Sequence, residues 1–275
     1  MSFYISLSGL KAAQTDLSTV SNNLANVGST GFKKSRAQFG DLFSSAPTQT
    51  TRMIAGHGTR LNGIVQQFTQ GTLESTDKTL DMAIAGEGFF VVKGGAPRQD
   101  ISYTRNGAFQ ANTQRQVVDT IGSKLQLLPV DAAGNTTSTN LADAVDFVLP
   151  TAAPGNPNAA MVNISIGIDG LVTATYSDGS DQALGRVMMA SFTAQEGLRP
   201  IGDGHWQSTG DSGPPLINAP TNGPLGTIRS GALERANVDV TEELVALISA
   251  QRNFQANAKA IETAGNMTQT IVNIN

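Results

Sequence analysis

Residues 3–27 read FYISLSGLKAAQTDLSTVSNNLANV. Large apolar side chains fall at Phe3, Leu10, Leu17 and Leu24, and Ala13, Val20 and Val27 fill the slots between them. That is the a/d pattern of a coiled-coil seam, held for more than three heptads. Lys11, Gln14, Thr15, Asp16, Ser18, Thr19, Asn22 and Asn23 occupy the remaining faces and are polar. The stretch therefore predicts one amphipathic helix, roughly 37 Å long at 1.5 Å per residue.

The far end of the chain repeats the theme. Asp239 with Glu242 three residues on has the spacing of a capping box, and Thr241, Glu242 and Glu243 begin a helix with negative charge at its positive end. Leu244, Leu247, Phe254, Ala258, Ile261 and Val272 follow on a/d positions, with Ile248 and Ile271 widening the stripe. Lone helices of this kind are marginal in water and take most of their stability from packing. Each seam needs a partner: first the other end of the same chain, then a neighbouring copy.

Between the ends the pattern changes to short strands and tight turns. Asn106-Gly107, Asp169-Gly170 and Asp178-Gly179 sit beside runs such as Ile101-Ser102-Tyr103-Thr104 and Leu171-Val172-Thr173-Ala174-Thr175-Tyr176, which predicts hairpins. Phe89-Phe90-Val91-Val92 and the run Arg186 to Phe192 read as buried strands. Residues 34–66 are polar, include Ser44-Ser45-Ala46-Pro47-Thr48, and read as a linker with an extended piece. Residues 130–160, rich in Ala, Asn, Thr and Pro, read as a short loop or insertion. The expected architecture is α+β: a discontinuous coiled-coil-like domain from 1–33 and 237–275, and a mainly-β domain over 67–236 inserted between them.

Composition limits the chemistry. Among the 275 residues there is no cysteine, which excludes disulfides, thiol nucleophiles and thiolate metal sites. Charged residues are scarce at 15% and the net charge is −4, so no basic footprint for nucleic acid exists. Only two histidines occur; His205 beside Asp203 has no nucleophile elbow to serve, and reads as a loop histidine next to a packed Trp206. Gly86-Glu87-Gly88 runs into an apolar strand rather than a helix, which is not a phosphate cradle. No catalytic group, cofactor site or metal site is expected. The start lacks a basic region and an unbroken apolar run, and no stretch nears the roughly 20 apolar residues of a membrane span. No cleaved leader and no membrane insertion are the corresponding expectations; if the protein works outside the cytoplasm, it leaves by a route that removes no leader.

The richest local motif is Asn22-Asn23-Leu24-Ala25-Asn26-Val27-Gly28-Ser29-Thr30-Gly31-Phe32-Lys33. A glycine at 28 or 31 can take the left-handed conformation that closes a helix, and asparagine amides can bond freed carbonyls. Lys33 and Lys34 would add positive charge near the negative helix end. Ala25, Asn26, Thr30, Gly31, Phe32 and Lys33 in this motif resemble the signature of the flagellar axial proteins, the rod and hook group. Ser230-Gly231-Ala232-Leu233-Glu234, Asn237-Val238-Asp239-Val240 and Ala250-Gln251-Arg252-Asn253-Phe254 resemble that group's C-terminal block. Asp81-Met82-Ala83-Ile84, Gly86 to Phe90 and Tyr103 to Phe109 resemble its inner β domain.

The resemblance implies export by the flagellar apparatus and assembly with copies of itself into a helical tube. Leu10, Leu17, Val20, Leu24, Val27, Leu244, Leu247, Phe254 and Ile261 would form the subunit interface. Leu7 to Leu10, Phe39 to Phe43 and Gly231 to Glu234 look closer to the hook branch, a flexible universal joint transmitting torque, than to the distal rod branch. The short 130–160 segment, where hook proteins carry an outer domain, fits the rod branch instead. The distal rod, hook cap and hook–filament junction proteins are the partners that the resemblance implies.

Overall fold

This computed structural model describes residues 2–43, 56–95, 100–131 and 133–273. The two heptad stretches are helices, α1 at Ser2–Ala25 and α2 at Val240–Asn273, and a mainly-β region lies between them in sequence. The chain divides into two units. One consists of Met1–Val27, Lys34–Gln67 and Val238–Asn275, the other of Gly28–Lys33 and Phe68–Asn237.

In the terminal-helix unit α1 packs on α2. Near the start of α1, Gly9 lies so close to α2 that a Cβ there would sit 2.6 Å from Asn257 Oδ1. Near its end, Asn23 Nδ2 donates to Glu243 Oε2 at 3.3 Å. The two helices are therefore antiparallel. Asp239 caps α2: its Oδ1 accepts the N–H of Thr241 (2.8 Å) and of Glu242 (3.1 Å), groups that have no partner inside the helix. Glu242 faces Lys34 at 3.4 Å.

The 34–66 segment is more ordered than a linker. Strands β1 (Ser35–Phe43) and β2 (Gly56–Gln66) pair antiparallel, Ser35 opposite Gln66 and Phe43 opposite Gly56, with a bulge between Gln38 and Phe39. Ser44-Ser45-Ala46-Pro47-Thr48 lies outside the described residues, as do the side chains of Ile271 and Val272. What organises this hairpin is a side chain behaving as backbone. Asn23 Oδ1 accepts the N–H of Ser35 and Asn23 Nδ2 donates to its C=O, both at 2.9 Å, so α1 supplies both partners of the strand's first residue. Ser8 Oγ accepts the Thr59 N–H at 3.2 Å from the other end of the helix.

The second unit is built on antiparallel strands. Its central strand, Phe89–Lys93, is buried on both faces, as its unbroken apolar run requires. Phe90 and Val92 point into one core with Met82, Ile84, Phe109, Leu125, Phe147 and Ile228. Phe89 and Val91 point into the other with Tyr103, Leu128, Met188, Phe192 and Trp206. The rings of Phe68, Phe192 and Trp206 pack edge-on to Phe89 at 5.4–5.8 Å between centroids. Strand Leu171–Tyr176 joins Asn156–Ile166 on one side and Asp181–Val187 on the other through the Asp169-Gly170 and Asp178-Gly179 turns, as the turn residues predict.

Other local expectations fail. Strand Ile101–Thr104 pairs with Phe89–Lys93 and His205–Gln207, so Asn106-Gly107 is an irregular connection rather than a hairpin turn; the Gly107 carbonyl accepts the Met82 N–H at 3.0 Å. The run from Arg186 breaks at Met188, and Met189–Ser191 changes partner to Leu216–Asn218 and Phe89–Phe90. The 130–160 segment contributes strands Val145–Asp146 and Ala152–Ala153 and the start of Asn156–Ile166, and sends Phe147 fully into the core.

Candidate assembly site on the terminal helices

The periodicity of α1 becomes a buried strip: Ala13 and Val20 are buried, and Leu10, Leu17 and Leu24 are half-buried; Val27, also half-buried, lies in the turn past the helix end at Ala25. On α2 the matching strip runs through Glu243, Leu247, Ala250, Phe254, Asn257, Ile261 and Ala264, at alternating steps of four and three. Leu247, Phe254 and Ile261 thus fall on the intrachain seam, whereas Leu244 does not: it is 44% exposed. The seam within the chain carries Glu243 and Asn257 instead, polar residues that bond or closely approach α1.

Leu244 belongs to a second stripe. Val240, Leu244 and Ile248 are spaced four apart on one side of α2, and Val245 beside them is 61% exposed. Phe3, Tyr4 and Ile5 on α1, Met267 near the end of α2, and the cross-strand pair Phe39 and Leu61 with Ile64 on the hairpin are exposed as well. Against this, the buried apolar residues of the unit, among those described, are Ala13, Val20, Ala37 and Ala250. A unit whose buried core is three alanines and a valine leaves most of its large apolar surface for something else to cover.

The signature residues lie where α1 ends. Asn26 Nδ2 donates to the Asn22 carbonyl at 2.9 Å, the same oxygen that accepts the Asn26 N–H at 3.2 Å, so this side chain reinforces the last turn of the helix. Gly31, not Gly28, takes the left-handed conformation, at φ 69°. Ala25 is exposed, and Thr30 and Phe32 are half-buried. Lys33 is the surprise. Rather than neutralising a helix end it is wholly buried in the mainly-β unit, with Nζ 2.7 Å from Glu234 Oε1 and 2.8 Å from the Thr69 carbonyl. Arg105, 2% exposed, places Nη1 3.2 Å from Glu234 Oε2 and its guanidinium 5.4 Å from the Phe89 ring centroid. Burial pulls the Lys33 ammonium below the usual lysine range, an effect that Glu234 opposes and Arg105 reinforces.

His205 is in strand His205–Gln207, not a loop. It is buried with Nε2 2.8 Å from Asp119 Oδ2 and Nδ1 3.0 Å from the Asp203 carbonyl. No nucleophile stands within this pair, and its contacts tie three strands and turns together. No group of metal-ligating side chains occurs among the described residues, and no helix of theirs is long and apolar enough to cross a membrane.

Known proteins match along the whole chain. Residues 3–33 match the family described as flagella basal body rod protein, residues 83–174 the D1 domain of flagellar hook protein FlgE/F/G, and residues 229–274 the C-terminal region of flagellar basal body rod FlgEFG proteins. The flagellar basal-body rod protein FlgG of Buchnera aphidicola subsp. Schizaphis graminum is 33% identical, over 98% of each chain. FlgG of Bacillus subtilis is 34% identical, over 99% of this chain and 98% of its own. The flagellar hook protein FlgE of Escherichia coli K12 is 27% identical with both chains fully covered, but across 412 aligned positions, so it carries a long segment without counterpart in these 275 residues. From end to end, this chain belongs to the flagellar basal-body rod and hook family, whose members are structural parts of the flagellum.

Proposed function

We propose that the chain is an axial subunit that polymerises with copies of itself into a helical tube, and that its place is in the rod rather than the hook. The observation that carries self-assembly is the second apolar stripe of α2, exposed at Val240, Leu244, Val245 and Ile248 in a unit with almost no buried core. Apolar surface of that kind marks an interaction site. Of the expected interface residues, Leu244 and its neighbours face the next copy, while Leu10, Leu17, Val20, Leu24, Leu247, Phe254 and Ile261 hold the two helices of one chain together.

Rod over hook is supported by length. Rod relatives align over nearly their whole length at about one-third identity, and the hook relative needs a long extra segment. The hook reading keeps one support, the hook-like motifs Leu7 to Leu10, Phe39 to Phe43 and Gly231 to Glu234. Expression in one strain lacking its rod protein and another lacking its hook protein separates the two. Rod identity predicts rescue of the first only, with the protein found inside the isolated basal body. Curved tubes outside the cell envelope, with rescue of the second strain, would restore the hook reading. Contacts with the neighbouring axial proteins and with the export apparatus follow from either place.

A further inference from the structure

The chain passes between its two units at 27/28, 33/34, 67/68 and 237/238. On the side of the mainly-β unit those passages belong to three segments: Gly28–Lys33, the stretch that begins at Phe68, and the stretch that ends at Asn237. They are far apart in sequence and bound directly to one another. Lys33 Nζ holds both Glu234 Oε1 and the Thr69 carbonyl, and the Gly71 N–H donates to the same Oε1 at 2.8 Å. The Gly31 N–H donates to the Glu234 carbonyl at 2.7 Å and the Asn237 N–H to the Phe32 carbonyl at 3.4 Å. Asn237 Nδ2 donates to Thr69 O and Oγ1 at 3.1 and 2.9 Å.

Two glycines show how tightly these segments lie. A Cβ on Gly31 would sit 2.6 Å from the Arg105 backbone, and one on Gly71 would collide with the Arg235 carbonyl oxygen. Arg105 grips the Glu234 carboxylate from its other oxygen and donates through Nη2 to the Gly86 carbonyl at 3.0 Å, fastening the group to the core beneath Phe89.

From this arrangement we infer that Lys33, Glu234 and Arg105 form a common root, a buried ionic lock that makes all the connecting segments loosen together or not at all. Buried ion pairs add little net stability, since desolvation offsets their attraction, but losing one partner is costly. Such a group favours one geometry rather than strength. Load arriving through the connections then enters the mainly-β unit at one fixed point, instead of working separately on three tethers. This holds for a rod or a hook subunit alike.

Hydrogen exchange of the full chain, read by segment, tests the lock. Lys33→Met leaves Arg105 and Glu234 paired one to one, so the fold stands while the tie among the segments is cut. Exchange is expected to rise together in residues 28–33, 68–72 and 232–237, on the order of tenfold, with Phe89–Lys93 unchanged. A rise confined to 28–33, no rise, or loss of protection at Phe89–Lys93 would overturn the shared root. Asn237→Ala removes the side-chain bonds to Thr69 while leaving the Lys33–Glu234–Arg105 group in place, and should loosen the same three segments to a smaller degree. Loosening of 232–237 alone would contradict the inference.

Discussion

The two units of this chain solve burial in opposite ways. The mainly-β unit places phenylalanine, methionine, isoleucine and tryptophan at or near zero exposure on both faces of one central strand. Among the described residues, the terminal-helix unit buries no apolar side chain larger than valine and leaves Tyr4 74% and Met267 70% exposed. Scattered apolar residues on the β surface, such as Val162 and Ile168, are ordinary. A stripe with helical spacing beside a nearly empty core is not. The comparison teaches that one unit is complete in itself, and it is what supports the proposal that the other is half of an interface.

Three substitutions press on that contrast. Phe90→Ala removes a ring at zero exposure that packs edge-on to Phe109 at 5.5 Å, and should cost about 3–5 kcal/mol in denaturant unfolding of the β unit. If it costs no more than a truncation at half-buried Leu247, the two units do not differ as described. Asp239→Ala removes the cap of α2 and should cost about 1 kcal/mol, confined to helical signal because Asp239 serves only that helix end. Val245→Asp should change the stability of the dilute chain by less than about 0.5 kcal/mol, since the side chain is solvent-exposed, yet prevent tubes from forming in electron micrographs. Normal tubes from that variant would remove α2's second stripe from the interface.

Much of this was legible in local pattern. Both helices, the Asp239 cap and the Asp-Gly hairpins follow from spacing within a few residues, and the structure reproduces them. The β1–β2 hairpin was not legible, because Ser35–Phe43 has no alternation and takes its start from Asn23, on a helix. The polar members of the α1–α2 seam, Glu243 and Asn257, were not legible, because a seam read only in apolar residues skips them. Lys33 and Glu234 are 201 residues apart, and no local rule pairs them. The hook preference rested on short motifs that the length of the relatives outweighs.

Limited proteolysis, run on the dilute chain and again after polymerisation, tests the central claim most directly. The account predicts early cuts in α1, α2 and the β1–β2 hairpin of the dilute chain, an intact fragment from the mainly-β unit, and protection of every site in the polymer. Helices that resist in the dilute chain as long as the β unit does would mean that the α1–α2 pair is complete alone, and the claim that it is half of an interface would fall.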